Sequence, residues 1–162
     1  MEKFPTEEKK CFEDFTEGFN RGYEIPGLST TEIIEFATLY DPQRFHLDAQ
    51  EAAGTHFGSL VASGFQTQLL CFKPFCLDVL NRSWAIGAPG IDSIKWLRPW
   101  YPGEALSIKV TLIDRRPSAK RHDRGYLRFK LGAAVDSLPT FSMEWVVIIL
   151  TREGIKPPAS QL

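Results

Sequence analysis

Hydrophobic and polar positions follow two rhythms along this chain, helical in the first half and alternating in the second. Phe15 to Glu24, with Gly18, Gly22 and spaced aromatics, predicts a first strand. Ser29-Thr30-Thr31-Glu32 then fits a capping box, with Ser29 as N-cap and Glu32 reaching back to it. Ile33, Ile34, Phe36, Ala37 and Tyr40 follow at helical spacing, so a short amphipathic helix is expected. Asp41-Pro42 ends it, because a residue before proline is pushed out of the α region. Ala49 to Gly54 predicts another helical turn or two. The longest helix is expected from Ser63 to about Asn81. It is apolar on most faces, which implies burial all round, and Pro74 inside it should bend it or break one turn.

Beyond Gly87-Ala88-Pro89-Gly90, read as a loop, the pattern changes to strands: Ile91 to Arg98, Ala105 to Arg115, Tyr126 to Asp136 and Thr140 to Thr151. Turn signals at Pro102-Gly103, Asp123-Arg124-Gly125 and Ser137-Leu138-Pro139 separate them. In the third strand Leu127, Phe129, Leu131, Ala133 and Val135 alternate with polar or small residues, as in a strand with one buried face. One buried helix followed by antiparallel strands that wrap it is an α+β plan.

Composition narrows the picture. At 162 residues the chain holds one well-buried core and is too short for two ordinary domains. The pattern divides it into an N-terminal extension over 1–16, one domain over 17–151 and a tail over 152–162 with Pro157-Pro158. A net charge of −1 gives no general attraction to nucleic acid or to an anionic membrane, and neither is an expected partner. No apolar run approaches the roughly 20 residues that cross a bilayer. The polar, mixed-charge start is unlike a signal peptide, and the odd, unclustered Cys11, Cys71 and Cys76 suit reduced thiols better than disulfides or a zinc site. A cytoplasmic protein is expected.

Two segments carry candidate chemistry. In Asp41-Pro42-Gln43-Arg44-Phe45-His46-Leu47-Asp48, a continuous helix would set residues five apart on different faces. A turn at Pro42 instead lets Asp41 and His46 face one pocket, where a carboxylate beside an imidazole fixes the ring tautomer and holds a water. The plainer reading is a helix-ending turn and a packed histidine, and spacing alone favours it. The second segment, Gly58 to Phe65, leads into the long helix. Ser63 and Gly64 at its start would offer free N–H groups for charge developing on a thioester oxygen, or simply a cap and a close-packing glycine. A basic stretch from Arg115 to Lys130 surrounds a hairpin. A coenzyme A phosphate would suit it, although a solvated hairpin tip is the commoner meaning of such a run.

Together the segments resemble the MaoC-like family of R-specific enoyl-CoA hydratases and dehydratases. The carriers are Asp-x-x-x-x-His-x-Asp at 41–48 and Ala62-Ser63-Gly64 opening a long helix, with Gly90 to Pro99 and Pro102-Gly103-Glu104 further on. The resemblance covers roughly residues 17 to 150. It implies a hot-dog fold, in which an antiparallel sheet wraps one central helix, and a dimer, or a higher oligomer of dimers, with sites near the subunit interface. It also implies that Asp41 and His46 activate the water added to an enoyl thioester, while Gly64 N–H polarises the carbonyl. No metal or redox cofactor is implied. The chain departs from the family pattern at Gln43-Arg44, where Asn-Pro is usual, at Ser63, where many members have histidine, and at Phe72, where some carry a serine. Of the bulky Phe65, Phe72 and Phe75, at least two are expected in the core. Two alternatives stay open. One is an acyl-CoA thioesterase, disfavoured because Asp78 is the single acid near the central helix's far end, and the other is a non-catalytic acyl-CoA-binding subunit.

Overall fold

The computed structural model describes residues 9–155. Its strands are β1 (Asn20–Ile25), β2 (Ala85–Trp96), β3 (Leu106–Pro117), β4 (Arg124–Val135) and β5 (Leu138–Leu150). Its helices are α1 (Thr30–Tyr40), α2 (Arg44–Leu47), α3 (Ala49–Ala53) and α4 (Gly64–Phe75), and α4 runs on into a π-helical turn at Cys76–Leu80. All strand pairs are antiparallel, in the order β1-β3-β4-β5-β2. Inward positions of β3, β4 and β5 alternate with outward ones, so Leu127, Phe129 and Leu131 face the same interior as Met143, Trp145 and Val147. Phe75 of α4 lies in that interior, 5.0 Å from the Phe129 ring and 5.5 Å from Trp145. An antiparallel sheet around one long helix is the hot-dog arrangement.

Local chemistry explains most of the element ends. Ser29 accepts from Glu32 N while Glu32 accepts from Ser29 N, the reciprocal box expected of that sequence. The β4–β5 hairpin turns on Asp136 and Ser137, both at positive φ, the twist that suits a two-residue hairpin turn. Pro74 has no N–H for the carbonyl one turn back, and the helix widens to a π turn just beyond it.

Four expectations need correction. Residues 10–15 of the proposed N-terminal extension are docked: Lys10 bridges to Ser83, and Cys11, Phe12 and Phe15 are buried. Phe12 packs flat on Gly125, where any β-carbon would overlap its ring. Because Phe15 belongs to that docked segment, β1 starts at Asn20 rather than Phe15. Gly87 to Gly90 is not a loop but an irregular part of β2, with shifts in register against β5 between Ala85 and Ser93. Finally, α4 is not buried all round. It hides Gln66 and Thr67, whose side chains donate to Glu32 O and Ser63 O, and leaves Phe65 57% and Leu69 54% exposed. Phe72 and Phe75 do lie in or against the core, so two of the three large aromatics are there as expected. The tail residues 156–162 and residues 1–8 lie outside the described residues.

Candidate functional site

The turn after α1 brings the expected pair together. Asp41 is the C-cap of α1, and its backbone carbonyl accepts from Gln43 N at 2.7 Å, a tight three-residue turn centred on Pro42. The ring of proline favours the φ that such a turn requires. Gln43 then opens α2, whose third residue is His46. As a result His46 Nε2 lies 3.4 Å from Asp41 Oδ2, with both side chains largely buried. His46 Nδ1 sits 2.7 Å from Val61 O. A carbonyl only accepts, so Nδ1 carries a ring proton, and Nε2 is the nitrogen turned toward Asp41.

Asp41 is held from three sides. Ser63 Oγ donates to its Oδ2 at 2.6 Å, and Gln43 Nε2 donates to its Oδ1 at 2.8 Å. Burial alone would raise this carboxyl; the Ser63 and Gln43 hydrogen bonds and nearby His46 outweigh that and hold it below the ordinary carboxylate range. Ser63 has no exposure at all, and its Oγ also accepts Phe65 N–H at 3.1 Å as the N-cap of α4. The sequence offers Ser63 as a cap or anion-binding residue and carries no local sign that it braces Asp41. Gln43, a departure from the family pattern, pairs with the aspartate two residues before it, and its spacing alone does not disclose that.

Gly64 is the first residue of α4, where the N–H has no carbonyl to meet within the helix. It lines a cavity of about 380 Å³ together with Asp41, His46, Phe45, Thr67 and Trp96. Trp96, from the end of β2, donates its indole N–H to Gly64 O at 2.8 Å and packs against the Gly64 Cα. A methyl there would fall 2.6 Å from Trp96 Nε1, so the approach of the indole requires glycine. A carboxylate, a histidine of fixed tautomer and the start of a helix thus share one small cavity with aromatic walls. Such a set can hold a water and receive negative charge on an oxygen.

Other candidates fall elsewhere. Asp78 accepts from Tyr23 OH at 2.9 Å and pairs with Arg21 at 3.2 Å, tying β1 to the π turn, and it does not line the cavity. Burial and the Asp78 carboxylate push the Tyr23 hydroxyl well above its ordinary range. Much of the basic hairpin is spoken for. Arg124 and Arg121 both bond Asp123 and hold its carboxyl far below the usual range, while Arg128 pairs with Asp92 and Lys130 with Glu144. His56 and His122 are exposed and lie outside the cavity lining. Among the described residues no group of three or more His, Cys, Asp or Glu is placed to hold a metal ion, and no helix is long and apolar enough to cross a membrane.

No family model matches the chain. An uncharacterized protein of Bacillus subtilis, YdeM, is 30% identical over 100 residues, 62% of this chain and 70% of that protein. A MaoC-like dehydratase from Rhodospirillum rubrum superposes with a TM-score of 0.81 at 26% identity, over 88% of this chain and 98% of that one. The R-hydratase PhaJ1 from Pseudomonas aeruginosa shares the fold, with a TM-score of 0.67 at 18% identity over 93% of this chain and 95% of its own. With its five antiparallel strands around α4 and its Asp-His turn leading into Ser63-Gly64, the chain belongs to the MaoC-like hot-dog family.

Proposed function

We propose that this protein reversibly hydrates an enoyl thioester, carried on coenzyme A, to the 3-hydroxyacyl thioester. One observation carries the reading: His46 Nε2 and Asp41 Oδ2 face each other at 3.4 Å in the cavity that holds the start of α4. With the ring neutral both are acceptors, and that spacing suits a water donating one hydrogen to each. When its oxygen bonds to Cβ of the enoyl group, one water proton passes to the Asp41–His46 pair. The C=C electrons move toward the thioester oxygen, where Gly64 N–H meets the growing negative charge, a contribution of about 3 kcal/mol for one well-placed donor. Return of the proton to Cα completes the addition of one H₂O, and the reverse order dehydrates. The addition is redox-neutral, so it calls for no electron carrier.

The assay is loss of enoyl absorbance with crotonyl-CoA. Asp41→Asn and His46→Ala should each lose about 10²–10⁴-fold in kcat/KM while keeping the far-UV circular dichroism of the parent. If both variants hydrate as fast as the parent, the assignment is wrong. Release of free thiol without hydration would point instead to hydrolysis by the same water.

The working unit proposed is a homodimer. β2 is an edge strand, and Ile86, Ile91 and Trp96 on it are exposed beside Phe65, Leu69 and Leu77 of the central helix region. Exposed apolar side chains along an unpaired strand edge suit a second copy of the same chain. Sedimentation should give twice the mass of 18.4 kDa, and Ile91→Lys should lower it toward one copy. The three cysteine side chains, two of them buried, fit a reducing, cytoplasmic setting.

A further inference from the structure

The cavity adjoins a second hollow, on the outer face of the sheet. Leu97, the residue after β2, lines the cavity and also lines a separate groove of about 430 Å³. The strand register explains why a hollow lies there. Lys109, Gly132, Ser142 and Lys95 are successive partners across β3, β4, β5 and β2, so two small residues at one level are flanked by two lysines. A β-carbon at Gly132 would meet nothing within 4 Å, which leaves the floor open. The backbones of the two lysines stand three strand spacings apart, about 14 Å. Lys130 also lines the groove and is partly offset by Glu144 at 3.3 Å. Lys95 and Lys109 are exposed and have no carboxylate partner among the described residues, and neither has Arg98, which lines the cavity beside Leu97. Unpaired cations spread over that distance suit a ligand with several phosphates rather than one. Another groove adjoins the cavity past Gln43 and Phe45, but the single cation in its lining, Arg44, is paired with Glu51 at 3.7 Å.

Resting on the reading of the cavity as an acyl-thioester site, we propose that the carrier arm leaves over Leu97 and that the outer-face groove holds the phosphorylated adenosine of coenzyme A. Arg98 and Lys95 meet the first phosphates along the arm, and Lys109 and Lys130 those at its far end. A pantetheine arm bound to a protein carries one phosphodiester and would leave most of this charge unused. Lys95 and Trp96 lie on opposite faces of β2, so a second copy packed against Trp96 does not cover the groove.

Calorimetric titration of the full chain tests this by comparing butyryl-CoA with butyryl-pantetheine, which lacks the nucleotide and all of its phosphates. The parent should bind the CoA ester at least tenfold more tightly, and the ratio should shrink as salt rises from about 0.05 to 0.5 M. Lys95→Glu, which reverses a charge, and Gly132→Leu, which fills the floor, should each bring the two esters within about threefold. Arg44→Ala should stay near the parent. Equal affinity of the parent for both esters would overturn the nucleotide site. A preference kept in folded Lys95→Glu and Gly132→Leu but lost in Arg44→Ala would overturn this groove and route the arm over α2. Failure of both esters to bind would sink the acyl site and the groove with it, whereas the expected preference without any hydration of crotonyl-CoA would sink the catalytic reading alone. Hydration of a crotonyl carrier protein, with none of crotonyl-CoA, would overturn coenzyme A as the carrier.

Discussion

Replacing Ser63 by alanine removes one oxygen atom and two separate interactions. Ser63 Oγ accepts the Phe65 N–H that caps α4 and donates to the ionised Asp41 at 2.6 Å, in a position with no solvent exposure. Loss of an N-cap costs about 1 kcal/mol. Loss of a hydrogen bond to a charged group costs about 1.5–3 kcal/mol. The Asp41 carboxylate keeps 13% exposure, so water recovers part of the second term, and a total of about 2–3 kcal/mol follows. For a chain of this size that corresponds to a fall of roughly 5–10 °C in Tm. Urea unfolding at pH 7 measures the free energy directly.

The same oxygen sets a pH dependence. Because Asp41 is depressed in the folded state, the stability it contributes is present above its unfolded-state value, about 3.9, and is lost as pH falls through the lower folded value. Without Ser63 Oγ the folded value rises toward the ordinary one. The rise of stability with pH across the acid range should therefore flatten in Ser63→Ala, while a neutral structural change would leave its slope in place. A loss below about 0.5 kcal/mol together with an unchanged acid-range slope of stability would refute the account of Ser63 as the brace of Asp41.

Two further outcomes follow from contacts already described. Gly64→Ala should drive the Trp96 indole off the helix start, breaking its 2.8 Å bond to Gly64 O, and stopped-flow hydration should show a loss of about 10²–10³-fold with a Tm change of only a few degrees. Phe75→Ala removes a ring with no exposure from the centre of the aromatic cluster, and urea unfolding should show a loss of about 3–5 kcal/mol.

What the sequence disclosed was mostly local or periodic. The Ser29–Glu32 box, the strand alternation after Tyr126 and the proline turn at Pro42 depend on neighbours within a few residues, and each stands in the structure as read. The irregular start of β2 was hidden because Gly87, Pro89 and Gly90 are punctuation in any local reading, and only pairing with β5 holds them in a strand. The docking of Phe12 and Phe15 left a faint trace, two aromatics three apart in an otherwise polar segment. The faces of α4 were misjudged because its polar residues find partners inside, Gln66 on Glu32 O and Thr67 on Ser63 O. Within the site, Asp41, His46 and Gly64 were legible, but Trp96 reaches Gly64 across 32 positions of the chain and leaves no local mark. A glycine at the first position of a helix, rather than a better helix former, was the one hint that something packs against it.

The irregular part of β2 also bears on how the protein survives crowding. A long free strand edge with apolar side chains is a template that any passing extended chain can extend. Here Pro89 offers no N–H, and the register slips between Ala85 and Ser93, so most of that edge is a poor match for a straight strand. The regular stretch that is left, the four residues from Ser93 to Trp96, is short enough to discriminate. A partner must bring matching side chains as well as a backbone, which guards against amyloid-like stacking while leaving room for a chosen neighbour.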